Sequence, residues 1–233
     1  MLFVMLVRVD PDLPVPADSD VDPWVEEGRR TGTRLGGAPA EDPSSATTVR
    51  VRDGATLVAD GPALHQREAV AGYDLLEAED LDAAIDSAAQ HPVAAFGALE
   101  VREVWEDFVP GEDAPAEPDP DGVDYLFLHV PDHDLLRTAT REGTDPTEWV
   151  REVARRRVTL GGHRLRDEPE AGAVVRRRDG ELLVTRGPFA ELTEQIAGID
   201  LVRVADLDEA IGLAETHPTS RIGTIEIRPL VAG

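Results

Sequence analysis

Two short segments carry the side chains best placed to do chemistry. One is Asp60-Gly61-Pro62 followed by His65 and Glu68, and the other is Arg186-Gly187-Pro188-Phe189 followed by Glu194. A Gly-Pro pair fixes a tight turn, and a turn held at the end of a strand can line a cleft and offer a carboxylate to a ligand. Asp60, His65, Glu68 and Glu194 are the acid/base groups available to an enzyme acting in such a cleft. The same residues also have a structural reading, in which Gly-Pro sets the turn and the Glu caps the segment after it. Asp60 stands where the second segment has Arg186, and His65 where it has Glu191. Either one segment is functional and the other structural, or Asp60 and Arg186 meet as an ion pair, and the sequence leaves both open.

The remaining polar residues suggest less. His129 and His133 are four apart, a metal-ligand spacing on a helix, but Pro131 separates them and His129 belongs to an expected strand, so no metal site is expected. His91 and His217 precede proline at helix ends, where an imidazole can bond the last carbonyls. Arg155, Arg156, Arg157, Arg164, Arg166, Arg176, Arg177 and Arg178 concentrate positive charge late in the chain. They read as intrachain partners of an acidic protein, with an anionic ligand or an acidic partner as the alternative. No cysteine is present, which excludes disulfides, thiol nucleophiles and thiolate metal sites. No cofactor is expected.

These segments occupy matched places in a repeat. Asp53 to Arg102 aligns without gaps on Asp179 to Arg228, with 22 identities in 50 positions at an offset of 126. Upstream, Trp24 matches Trp149 and Gly36-Gly37 matches Gly161-Gly162 at an offset of 125. The expected organisation is repeat 1 over 1–110, a Pro/Asp/Glu-rich solvated linker over 111–122, and repeat 2 over 123–233.

Each copy opens with an apolar strand, Phe3 to Val9 or Tyr125 to Val130. A helix follows, begun by Asp22-Pro23 or Asp145-Pro146-Thr147-Glu148 and ended by the glycine pair. Asp53-Gly54 and Asp179-Gly180 sit between alternating residues and predict type I′ hairpins. A third strand, Ala71 to Ala78 or Ala197 to Ala205, leads to a helix capped by Asp80 or Asp206. Leu81, Ala84, Ile85 and Ala88, with Leu207, Ala210, Ile211 and Ala214, place one apolar face on that helix. FGALEVREV or IGTIEIRPL closes the copy. The pattern predicts α+β: two ferredoxin-like repeats with helices on one side of an antiparallel sheet. Covering the other apolar face by pairing the two copies gives an intrachain pseudo-dimer. The chain is then a monomer, or a dimer of such pseudo-dimers.

The segments VADGPALHQREAVAGYDLLEAEDLDAAIDSAAQHP and VTRGPFAELTEQIAGIDLVRVADLDEAIGLAETHP, with the closing GALEVREV and GTIEIRPL, resemble the YCII-related proteins. The nearest subgroup is the one named for an Asp-Gly-Pro-Phe motif. Copy one lacks its Phe, reading Ala63, and copy two lacks its Asp, reading Arg186. The resemblance implies a dimeric α+β barrel, no established reaction, and frequent association with sigma factors. Some members carry a proposed catalytic His early in the first helix and an Asp near its end. Neither first helix here has a His, or an Asp beyond its N-cap, which argues against an enzyme. The leading expectation is a small-ligand- or partner-binding protein associated with sigma-factor regulation; the alternative is a small barrel enzyme acting in the cleft between the sheets.

Composition bounds these readings. The 233 residues carry 23 basic side chains, all arginine, against 47 acids, for a net charge of -24. A protein so acidic is unsuited to nucleic acid or anionic membranes. At 41% hydrophobic and 30% charged it can bury a core. The apolar opening is too short and too weakly flanked for a signal peptide or a membrane span, and a cytoplasmic protein is expected.

Overall fold

The computed structural model describes residues 1–63, 67–108, 119–140, 144–187, 189 and 195–231. The protein is mixed α+β, with twelve antiparallel strands and six helices among the described residues. Repeat 1 supplies β1 (Leu2–Val9), α1 (Asp22–Thr31), β2 (Arg34–Pro39), β3 (Thr47–Arg52), β4 (Ala55–Asp60), β5 (Ala69–Glu77), α2 (Leu81–Ala89) and β6 (Ala98–Asp107). Repeat 2 supplies β7 (Val123–Pro131), α3 (His133–Thr138), α4 (Thr147–Arg156), β8 (Thr159–Leu165), β9 (Gly172–Arg178), β10 (Glu181–Arg186), β11 (Gly198–Val204), α5 (Leu207–Thr216), α6 (Pro218–Ile222) and β12 (Gly223–Pro229). No helix among them is long and apolar enough to cross a membrane.

Local sequence explains most boundaries. Asp53 and Gly54 have φ of 52° and 78°, and Asp179 and Gly180 have 52° and 82°, the paired positive values that a type I′ turn requires. Asp80 Oδ1 accepts the Ala83 amide at 2.9 Å and Asp206 Oδ1 accepts the Glu209 amide at 2.9 Å, each an N-cap. Two expectations need correction. The glycine pairs do not end the first helices: Gly32, at φ 76°, caps α1, and Arg157, at φ 62°, caps α4. Gly36-Gly37 and Gly161-Gly162 lie in β2 and β8, an additional strand in each copy. Glycine is needed at the second of each pair, because a Cβ on Gly37 or Gly162 would sit 2.3 or 2.2 Å from the carboxylate of Asp74 or Asp200.

The compact units cut across the repeats. Unit 1 is Met1–Asp42, His65–Trp105 and Leu165–Phe189; unit 2 is Pro43–Leu64, Glu106–Arg164 and Ala190–Gly233. In unit 1 the strand order is β2-β5-β1-β6-β9-β10, so the repeat 2 hairpin pairs with the closing strand of repeat 1. In unit 2 the order is β8-β11-β7-β12-β3-β4, and the repeat 1 hairpin pairs with the closing strand of repeat 2. The two copies have exchanged hairpins.

The exchange is held by core packing and by arginines. Ala173 and Val175 of β9 are fully buried against Leu99, Val101, Ala84, Ile85 and Ala88 in unit 1. Val49 of β3 is fully buried against Phe127, Ile225 and Ile227 in unit 2. Each buried valine contributes about 1.5–3 kcal/mol. Arg178 donates to the carbonyls of Ala94 and Gly97, and Arg177 to that of Ala89. Arg52 makes the matching bonds to the carbonyls of Ser220, Arg221 and Gly223. Much of the late arginine run is thus engaged within its own unit. The rest of the described run includes the pairs Arg155–Glu152, Arg156–Glu209, Arg164–Glu106 and Arg166–Glu103.

Candidate functional site

The exchange carries Ala63 and Phe189, each two residues past the glycine of its Gly-Pro pair, onto the Glu-x-Arg motif of the other repeat. In unit 1, β1 and β6 turn Phe3, Met5, Leu99 and Val101 toward α2. Alternation therefore points Leu6, Arg8, Glu100 and Arg102 to the opposite face. Arg8, Glu100 and Arg102 are each only 1% exposed. Arg8 Nε donates to Glu100 Oε2 at 2.9 Å, and its Nη2 lies 2.7 Å from the same oxygen. Arg102 Nη1 donates to Glu100 Oε1 at 3.4 Å and Nη2 donates to the Arg166 carbonyl. Arg102 Nε is buried with no hydrogen-bond partner among the described residues.

Phe189, two residues past Gly187, closes over this cluster. Its amide donates to Glu100 Oε1 at 3.2 Å, and its ring lies 4.3 Å from the Arg8 guanidinium carbon and 5.4 Å from that of Arg176. Arg176 in turn forms a two-pronged pair with Glu68, both contacts at 2.5 Å. Burial works to raise the Glu100 carboxyl, but Arg8, Arg102 and the Phe189 amide outweigh it and hold the group below its ordinary value.

Unit 2 repeats the frame with different contents. The Ala63 amide donates to Glu226 Oε2 at 2.8 Å, as Phe189 does to Glu100, and Arg228 Nη1 donates to Glu226 Oε1 at 3.4 Å. The strand register places Val130 where unit 1 has Arg8. Ala63 stands where unit 1 has Phe189. Among the described residues, unit 2 therefore has neither a second guanidinium at the Arg8 position nor a ring at the Phe189 position.

The sequence-proposed residues are partly brought together. Phe189 and Glu68 reach the unit 1 cluster, and the amides of Gly61 and Gly187 donate to the Ala46 and Gly172 carbonyls, fixing the turns. Pro62 follows Gly61 in the unit 2 turn. Asp60 ends the exposed strand β4, and Arg186 pairs with Asp82 on the surface. His65, Pro188, Glu191 and Glu194 lie outside the described residues.

A second polar cluster lies on the helix-covered face of each sheet. Asp74 and Asp200, at matched positions, are both buried. Trp24 and Trp149 each donate Nε1 to a carbonyl of the covering helix, of Ser87 and Leu213, at 3.0 Å. Each ring stands edge-on to an imidazole, Trp24 to His91 and Trp149 to His217, with centroids 4.6 Å apart in both. The countercharge differs. Arg34 Nε donates to Asp74 Oδ1 at 2.7 Å. In unit 2, His129 Nε2 lies 2.8 Å from Asp200 Oδ2 and His217 Nε2 lies 3.6 Å from it. His163 Nδ1 sits 3.1 Å from Asp107 Oδ1, without hydrogen-bond geometry.

The ligand atoms of His129, Asp200 and His217 lie within 4.8 Å of one another, as a metal triad would. The tautomer of His217 argues against one. Its Nδ1 accepts the Thr219 amide at 3.1 Å, so the neutral ring carries its proton on Nε2, the atom a metal would need. His91 makes the same bond to the Val93 amide at 3.2 Å beside Arg34–Asp74. This also corrects the expected role of both histidines: they cap the turn that follows, not the carbonyls of the helix before. Burial pushes His217 down to about 3 and His91 down to about 4. Asp200 is held below its ordinary value against the opposing effect of burial, by His129, His217 and His163. Sequence reading passed over this cluster, although Trp, Asp and His recur at matched repeat positions.

Residues 1–107 and 125–232 each match the YCII-related domain model. An uncharacterised protein of Rhizobium meliloti (strain 1021) is 42% identical over 62 residues, covering 26% of this chain and 50% of that protein. The chain thus spans about half the length of the curated relative it matches. With two domain matches that together cover most of its length, the chain belongs to the YCII-related family and carries its domain as a tandem duplication.

Proposed function

We propose that this is a cytoplasmic small-ligand-binding protein whose site lies where the Gly-Pro-Phe turn of repeat 2 meets the Glu-x-Arg strand of repeat 1. The reading takes each repeat as ferredoxin-like and the chain as an intrachain pseudo-dimer of the dimeric α+β barrel type. The exchange of hairpins supports that view, since neither repeat completes a unit alone. The observation that carries the binding role is the buried Arg8–Glu100–Arg102 cluster under Phe189, charged groups kept out of water at the junction of the two family motifs. Catalysis has less support, because Asp60 is exposed and Glu68 is committed to Arg176. The family resemblance supplies the setting, regulation alongside sigma factors, and a pull-down against sigma factors tests it.

Native mass spectrometry of the gently purified intact chain tests the binding role. The expected result is a 25.2 kDa species carrying a reproducible extra mass that Phe189→Ala releases. A bare chain under the same conditions contradicts it.

A further inference from the structure

We propose that strand β10, the open edge of unit 1, pairs antiparallel with β10 of a second copy of this chain, so that two chains share one continuous sheet. The proposal does not depend on the ligand-binding role. Among the described residues β10 pairs with β9 alone, and its centre is apolar: Leu182, Leu183 and Val184 are 42%, 46% and 40% exposed. Such an edge is a template for another strand unless a charge, a proline or a covering segment blunts it.

The two copies of the hairpin differ in that respect. On β4, the matching edge of unit 2, Thr56 Oγ1 donates to Glu215 Oε1 at 2.6 Å, which sets a carboxylate beside the strand. The matching residues of unit 1 are Leu182 and Ala89. Arg186 of β10 pairs with Asp82, whereas the matching residues of unit 2 are two acids, Asp60 and Asp208. A second copy of β4 brings the same acids to the edge and is repelled; a second copy of β10 brings leucine and a neutralised pair.

The register follows from the hairpin. Arg178 and Glu181 flank the two-residue turn as a hydrogen-bonded pair, so alternation turns the N–H and C=O groups of Leu182 and Val184 away from β9. Leu182 and Val184 lie opposite Arg177 and Val175, on the face that α2 covers, and Leu183 lies on the other face. A two-fold axis perpendicular to the sheet keeps like faces together. Centred on Leu183, it sets the two copies of Leu183 opposite each other and each Leu182 opposite the second copy's Val184. Leu182 and Val184 then exchange their backbone hydrogen bonds across the axis, and Glu181 faces Thr185, so no like charges are opposed. Three apolar side chains per copy make a small interface, so single chains and dimers interconvert with concentration and the single chain prevails in dilute solution.

Sedimentation equilibrium of the intact chain over roughly a hundredfold range of concentration tests the pairing. The expected mass rises from 25.2 kDa toward twice that value. Leu182→Thr with Ala89→Glu, which writes the residues beside β4 onto β10, should weaken association by about tenfold or more. Unit 2 accommodates both residues at the matching places, so this variant should fold. The chain has no cysteine, so Leu183→Cys supplies a single thiol. It should join two chains on mild oxidation, because residues facing each other outside the hydrogen-bonded pairs have Cα atoms about 4.5 Å apart. Leu57→Cys on β4 should stay single. A mass of 25.2 kDa at every concentration would overturn the proposal and leave the edge to a strand of another protein. A dimer unchanged in the double variant, or cross-linking through Leu57→Cys in place of Leu183→Cys, would overturn it as well.

Discussion

Asp74 and Asp200 show how one residue position can be satisfied in two ways. Arg34 neutralises the first with a permanent charge, and histidines surround the second. Burial and Arg34 have opposite effects on Asp74, and burial prevails, raising the group to about 6. The pH response follows from the directions. His217 and His91 are lowered from 6.5, so folding favours their neutral forms. Their stability contribution is present above pH 6.5 and is lost as pH falls toward 3 and 4. Asp74, raised from 3.8, acts oppositely: its contribution is present below pH 3.8 and is lost as pH rises through 6. Two histidines outweigh one aspartate, so the melting temperature should fall between pH 6.5 and 4, with His217 alone removing roughly 3 kcal/mol. His217→Asn keeps an acceptor for the Thr219 amide without a titrating ring and should flatten that slope; an unchanged slope in thermal melts would contradict the assignment. Glycines at this scale separate equally sharply. Gly162→Ala forces a Cβ to within 2.2 Å of Asp200 Oδ1 and should cost about 2–4 kcal/mol in urea denaturation. Gly212→Ala, in α5 with nothing within 4 Å, should gain about 0.5–1 kcal/mol.

At the scale of elements, the hairpins are the parts most fully written in local sequence and least determined in destination. Asp-Gly between alternating residues specified both type I′ turns, and Gly54→Val or Gly180→Val should each destabilise by about 1–2 kcal/mol in urea denaturation, because valine resists positive φ. A cost near zero would mean that the turns can re-form in another type. The caps at Asp80 and Asp206 and the apolar faces of α2 and α5 were legible for the same reason, a short-range pattern with a single solution. The strand Arg34–Pro39 was not. Arg-Leu-Gly-Gly-Ala-Pro has two glycines and a proline, poor strand formers, and it is held in the sheet by pairing with β5. The exchange itself was hidden by the duplication. Both closing strands present the same Glu-x-Arg alternation, so either hairpin satisfies either edge by pattern alone.

For the whole molecule, the exchange means that each compact unit draws strands from both repeats. The repeat was visible in the alignment, and of the residues around the Gly-Pro segments Phe189 and Glu68 reach the charged cluster. Its buried members Arg8, Glu100 and Arg102 were missed, because each looks like an ordinary strand residue until the sheet places it. The difference between Arg8 and Val130 became meaningful only when strand register aligned β1 with β7. The most direct measurement is native mass spectrometry of the chain cut at a protease site placed within residues 111–118. Since unit 1 needs β9 and β10 from repeat 2 and unit 2 needs β3 and β4 from repeat 1, the halves should remain together as a one-to-one complex near 25.2 kDa. Two separately folded halves, each with the mass of a single repeat, would contradict the exchange and the site built on it.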